Sequence, residues 1–257
     1  MRRSSNSIVM LAYAIWVLFP FLYLLVLSLS ADWRFPSILP NYIGLKNWAA
    51  VLGGETGLVK SFFLSLFISL LVALSSTLCG FLLSRIVNYN KKKNLWTIIS
   101  YFPYVLAPVV FGACLSYYFL RLGILGTTFG VILAQFFIAF PYAMIFFSPF
   151  WTEKTKDYEN LVATLGGSLV QKFTKVLFPL SKNLILICFF QTFLISWFEY
   201  GLSSIIGVGK VQTLTIQVFL FIKESNFYYG AMSCCLLMLP PVIFIYVNKR
   251  YVFNKIL

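Results

Sequence analysis

The stretch from Thr152 to Asn183 reads TEKTKDYENLVATLGGSLVQKFTKVLFPLSKN. It is too polar to cross a bilayer, yet it lies between two apolar runs, 131–151 and 184–206, that are long enough to do so, since a bilayer core of about 30 Å takes roughly 20 apolar residues per helix. Within it Leu161, Leu165, Leu169 and Phe173 recur every four residues, as on one face of a helix. Asp157 and Glu159 stand where acids favour a helix start. Gly166-Gly167 gives a place to end one helix, and Pro179 marks the entry to the next. The spacing predicts two short helices joined at a glycine turn. The residues leave two uses open, an amphipathic helix lying on the membrane surface or a knob that docks on another protein.

Working outward, the same ruler gives six apolar segments, 8–29, 62–86, 95–120, 131–151, 184–206 and 228–247, with 152–183 as the long polar loop. Hydrophobic residues make up 60% of the chain and charged residues 11%, with a mean hydropathy of +0.89. An aqueous fold needs more polar surface than that. The 28 Phe and 15 Tyr suit lipid-facing surfaces and interfacial belts. Arg2-Arg3 before an apolar run is a signal-peptide feature, but the run exceeds the roughly 7–15 residues of such peptides, and an uncleaved first helix is expected. The expected fold is therefore an all-α integral membrane protein of about six transmembrane helices, forming one domain over 1–257.

The net charge of +13 fits this reading better than nucleic-acid binding. Of the 20 basic residues, only Arg34, Lys46, Lys60, Arg121, Lys210 and Lys223 fall in segments on one side. The positive-inside rule then puts both termini in the cytoplasm. The five cysteines lie in apolar runs and the chain has no His, so neither a disulfide framework nor a metal site is indicated, and no paired carboxylates or Ser-His arrangement point to catalysis.

Three polar residues interrupt the apolar segments. Gln135 and Gln191 read as interhelical hydrogen-bond partners. Glu199, in SWFEYG, has two readings. It sits at the outer membrane boundary beside Trp197 and Tyr200, or it faces a translocation pathway, where a carboxylate would favour a cationic cargo.

The order of motifs resembles the permeases of binding-protein-dependent ABC importers. Leu165-Gly166-Gly167-Ser168 with Phe173, Val176 and Pro179 is similar to their EAA loop, although Asn160-Leu161-Val162 stand where Glu-Ala-Ala is usual and Glu159 lies one residue away. Pro103 and Pro108, the turn LGILGT at 122–127, Phe140-Pro141-Tyr142 and Gln212-Thr213-Leu214-Thr215 follow in family order, so the likeness covers roughly residues 60–257.

The resemblance implies a non-catalytic subunit of a bacterial inner membrane importer. Its coupling helices, between the fourth and fifth membrane helices, would dock on an ABC ATPase dimer through Glu159, Asn160, Leu161, Leu165, Gly166 and Phe173, with Pro179 setting the exit. ATP and Mg would sit on that ATPase; this chain carries no G-x-x-x-x-G-K-[ST] sequence. A second copy or a paralogue would complete the pathway, with Glu199, Gln191 and Gln135 as its candidates, and an extracytoplasmic substrate-binding protein would deliver the solute. Within the polyamine, iron, thiamine and sulfate-like branch, Glu199 tilts the cargo toward a polyamine. The rival class is an ion-coupled secondary transporter, which would need more intramembrane ionisable groups than this chain offers.

Overall fold

The computed structural model describes residues 2–30, 42–54 and 56–251. Among them the chain is helical, with one isolated antiparallel bridge, Ser30 to Ile43. In order come α1 (Arg2–Ser28), α2 (Lys46–Leu52), α3 (Leu58–Asn88), α4 (Lys93–Val105), α5 (Pro108–Arg121), α6 (Thr128–Phe147), α7 (Glu153–Thr164), α8 (Leu169–Gln171), α9 (Phe178–Trp197), α10 (Gly201–Gly207), α11 (Leu214–Lys223) and α12 (Phe227–Tyr251). A 3₁₀ turn, Ser148–Phe150, follows α6, and a π-helical turn, Lys172–Leu177, joins α8 to α9.

Among the described residues four helical stretches are long and apolar enough to span a bilayer: Leu58–Asn88, Thr128–Phe150, Leu169–Trp197 and Phe227–Tyr246. The pair α4–α5 adds a fifth if it counts as one span. In α1 the stretch Tyr13–Ser28 is apolar but shorter, as is α11.

Two expected spans are broken. The segment 95–120 is not one helix, because α4 and α5 meet at 96°. Pro108 drives its predecessor out of the α region; Leu106 and Ala107 both adopt ψ of 137°, and the helix restarts at the proline. The segment 184–206 is likewise interrupted: α9 ends at Trp197 and α10 begins at Gly201. Its upstream end runs the other way, since the helix continues back to Leu169.

The described residues form two contact units, one holding the chain up to Leu64 with Thr213–Ile243, the other Ser65–Gln212 with Phe244 onward. In the first, the Asn47 amide donates to the Ser30 carbonyl at 2.9 Å and Gly44 N–H to Leu29 O at 2.8 Å, which ties the approach to α2 onto the end of α1. Thr213 caps α11 by accepting from Ile216 N–H.

In the second unit, α3, α6 and α9 come close because small residues line their contacts. A methyl group at Gly80 would stand 2.5 Å from the Ala143 Cβ, so only glycine allows α3 that close to α6. The hydroxyls of Thr77 and Thr192 meet at 3.2 Å between α3 and α9. At one end, Phe81, Ala143, Phe147, Trp151, Leu177 and Cys188 form a buried cluster, and the Trp151 indole donates to the Ser84 hydroxyl at 2.7 Å. This cluster is the floor on which the 152–183 loop rests.

Gly80→Leu should force α3 and α6 apart and cost about 1–3 kcal/mol. The thermal unfolding midpoint in detergent reads this, and an unchanged midpoint would show that the close approach is not needed.

Candidate functional site

The loop begins at Thr152, whose hydroxyl accepts from Thr155 N–H and starts α7. It ends α7 in a Schellman turn. Gly166 takes φ of +73°, a conformation that costs other residues roughly 1–2 kcal/mol. Its N–H donates to Ala163 O at 3.1 Å, and Gly167 N–H donates to Val162 O at 2.9 Å. Gly167 is needed for space instead, since a Cβ there would meet Val162 Cγ1 at 2.5 Å. Ser168 and Gln171 then form a reciprocal capping box that opens the second helix. Pro179 has no N–H to give to the carbonyl four residues back. Just before it the helix widens into the π turn, where Phe178 N–H reaches Phe173 O.

The two faces of this hairpin differ. Outward, Leu161, Leu165, Leu169 and Val170 are 57%, 79%, 71% and 70% exposed, an apolar knob at the glycine turn. Asn160 is also exposed. Inward, Glu159 is only 3% exposed. Its carboxylate accepts from Arg85 Nε at 3.0 and 3.2 Å and from Arg85 Nη2, with Lys172 Nζ at 3.7 Å. The Arg85 guanidinium lies 5.7 Å from the Tyr89 ring centroid and 5.8 Å from that of Phe173. The loop is therefore clasped to the last turn of α3 by a charge pair with aromatic neighbours. Phe173, expected with the leucines on the knob, instead packs against the buried cluster beneath it.

The intramembrane candidates divide in two. Gln135 donates to the Ser203 hydroxyl at 2.9 Å and accepts from Ser196. Ser203 in turn donates to the Glu199 carboxylate at 3.1 Å. That carboxylate also accepts the N–H groups of Leu202 and Ser203 at 2.9 and 3.0 Å. Glu199 thus caps the restart of the chain as α10, which explains why the fifth segment breaks there. The carboxylate read as a feature of a cationic pathway is engaged by a helix start. Gln191 lies apart from this network and accepts from the Tyr142 hydroxyl.

Among the described residues no group of three or more His, Cys, Asp and Glu side chains is gathered in metal-binding fashion, and the five cysteines are free thiols. The geometry is that of a docking knob and a polar intramembrane seam.

Residues 76–255 match the family described as the binding-protein-dependent transport system inner membrane component. The chain belongs to that family. It is thus an inner-membrane permease of the ABC importer type, with membrane-spanning helices. It is similar to a probable sulfate transport system permease protein of Helicosporidium sp. subsp. Simulium jonesii, at 26% identity over 81% of this chain and 84% of that one. A molybdenum transport system permease protein of Mycobacterium bovis is 28% identical over 58% of this chain and 62% of its own. A Salmonella typhimurium protein named for 2-aminoethylphosphonate transport is 23% identical over 90% and 87%.

The Arg85 partner of Glu159 was out of reach of sequence reasoning, because 74 residues separate the two. The only signal was a basic residue at the end of an apolar segment. Likewise nothing in SWFEYG announced that Glu199 would cap a new helix, apart from the glycine that follows.

Glu159→Gln should leave the guanidinium part-buried beside a neutral partner and cost about 1.5–3 kcal/mol. The double variant with Arg85→Gln should recover part of that loss in the unfolding midpoint, and strict additivity would show the two groups act independently. Burial, and after it the negative charge of Glu159, push the Tyr89 phenol up to about 12 from an ordinary value near 10. The folded chain holds this proton more tightly, so the stabilising share is complete below about pH 10 and is lost as pH rises through the folded value. Tyr89→Phe should flatten that alkaline loss relative to wild type.

Proposed function

We propose that this permease forms the translocation pathway of an ATP-driven importer for a small oxyanion and that the knob of Leu161, Leu165, Leu169 and Val170 couples it to a separate ATPase pair. The observation that carries this reading is the knob itself. A Schellman turn and a capping box fix its shape, and the Arg85–Glu159 clasp ties it to a membrane helix. A displacement of the knob would then move α3 and α9 together instead of being absorbed in a flexible loop. ATP and Mg would belong to the partner, whose closure supplies the movement.

Six membrane segments are proposed: α1, α3, the bent pair α4–α5, α6, α9 and α12, all within a single permease domain over 1–257 and with both termini in the cytoplasm. That orientation puts α7 on the cytoplasmic side, where an ATPase would meet it. A second copy of the chain or a paralogue would complete the pathway, and an extracytoplasmic binding protein would bring the cargo. The relatives named above carry sulfate, molybdenum and phosphonate in their names, and these supply the oxyanion. The engagement of Glu199 with α10 removes the reason for preferring a polyamine.

The test is uptake into vesicles that hold the permease and its ATPase. Labelled sulfate or molybdate should accumulate only with ATP. Leu165→Asp with Leu169→Asp should place two unpaired carboxylates in the apolar contact, abolishing ATPase co-purification while membrane insertion persists. Gly166→Trp, strained by its backbone, should weaken coupling in the same assay. Uptake driven by an ion gradient without the ATPase would overturn the reading in favour of a secondary transporter, and uptake of a polyamine would overturn the oxyanion.

A further inference from the structure

Within Ser65–Gln212 two adjoining hollows make one groove with unlike ends. The larger, about 520 Å³, lies against one face of α4, where Trp96, Ile99, Ser100 and Pro103 recur at helical spacing. Its other walls come from α3, α5 and α6, and it reaches Leu115 on α5. Apart from Ser100 the chamber is apolar, and its size is within the roughly 300–1,000 Å³ of small-molecule sites. The smaller hollow, about 220 Å³, shares Val87, Ser100 and Met144 with the first but adds Asn88, Thr97 and Ser148. The groove therefore has an apolar chamber and a polar mouth.

The mouth adjoins concentrated positive charge. Asn88 ends α3 and Thr97 lies in the first turns of α4; the turn between them carries Lys91, Lys92 and Lys93 in succession, all exposed. Between Glu55 and Glu153 the sequence has no Asp or Glu at all; the nearby acid is Glu153 in the first turn of α7, whose charge acts on Tyr89, a single carboxylate against three lysines. Past this turn α4 runs beside α6, from Ser100 against Met144 Sδ to the Tyr104 hydroxyl at the Ile138 carbonyl, so the groove leads away from the lysines into the apolar helices. Trp96 and Tyr101, the aromatics nearer the lysines on α4, are residue types that favour headgroup depth.

We propose that this groove is a binding site for an anionic phospholipid of the leaflet on the α7 side, with an acyl chain in the chamber and the headgroup phosphate at Lys91–Lys93. The match is in the order of chemistry along the groove: apolar wall, hydroxyl and amide mouth, then cations. A helix of a second copy fits less well. At about 10–12 Å across it would fill the chamber within a single turn and bring no anion to the lysines. A bound lipid would brace α4 against α3 and α6, next to the turn from which Arg85 holds the coupling loop.

The experiment uses the full chain in phosphatidylcholine vesicles containing a minor fraction of lipid with brominated chains, which quench nearby tryptophan. The difference between wild type and Trp96→Phe isolates Trp96. Brominated phosphatidylglycerol should quench it at fractions where brominated phosphatidylcholine does not. Each lysine near an anionic headgroup is worth roughly a fivefold preference, so Lys91→Gln, Lys92→Gln and Lys93→Gln together should reduce the preference by up to roughly a hundredfold. That triple variant alters only exposed side chains, in the turn and at the first residue of α4, and its unfolding midpoint should match wild type. Leu83→Phe, which narrows the chamber, should lower quenching by the brominated phosphatidylglycerol. Equal quenching by the two lipids, or a preference that survives the triple substitution, would overturn the proposal. Protection of Trp96 from both lipids would overturn it in favour of a second copy of the chain.

Discussion

Glu159 and Arg85 meet where a polar loop joins an apolar bundle. A carboxylate that is almost fully buried is costly unless it is both paired and hydrogen-bonded. Here two nitrogens of the guanidinium supply the hydrogen bonds, and Lys172 adds a second positive charge at 3.7 Å. The rings of Tyr89 and Phe173 flank the guanidinium and shield the pair from solvent, which strengthens the attraction. Such a pair contributes less to net stability than its Coulomb energy suggests, since desolvation offsets much of it. What it gives is position. The hairpin of α7 and α8 can sit on the Phe81–Trp151 cluster in one register only, because shifting it strands a buried charge.

The same requirement operates within the bundle. Intramembrane polar groups need partners in the protein, since lipid offers none. The seam from Ser196 through Gln135 and Ser203 to Glu199 satisfies each of its members through another. It also accompanies the stop of α9 and the start of α10, whose N–H groups the Glu199 carboxylate satisfies. The Gly80 approach and the Thr77–Thr192 contact hold α3, α6 and α9 by close packing. These contacts link the helices that carry the clasp to those that carry the seam. A movement entering at the knob therefore has a contiguous set of packed elements through which to travel.

Much of this could be read from the chain before any coordinates. Apolar run length marked the membrane helices, because backbone hydrogen bonding in lipid admits few alternatives to a helix. The alternation in 152–183 and its glycine pair gave the two-helix hairpin, because turn chemistry is local: a left-handed residue at the end of a helix selects glycine wherever it occurs. The family likeness rested on the same motifs. One of the two breaks was missed although its signal was present. Pro108 and the residue before it mark the α4–α5 bend, and hydropathy counting is blind to such a change of direction.

What the sequence alone determined is the class of protein, its apolar helical character and the two-helix shape of its loop, all set by hydrophobicity and by interactions within a few residues. What only the tertiary structure decided is the partner of each polar side chain. Glu159 faces Arg85, Phe173 turns inward while the leucines face out, and Glu199 serves a helix start. For Glu159 and Phe173 the deciding contacts lie in helices far along the sequence, and no local pattern encodes which side chain will be waiting there; for Glu199 the partners are three and four residues on, and what the structure decided is that one helix stops and another starts at that point.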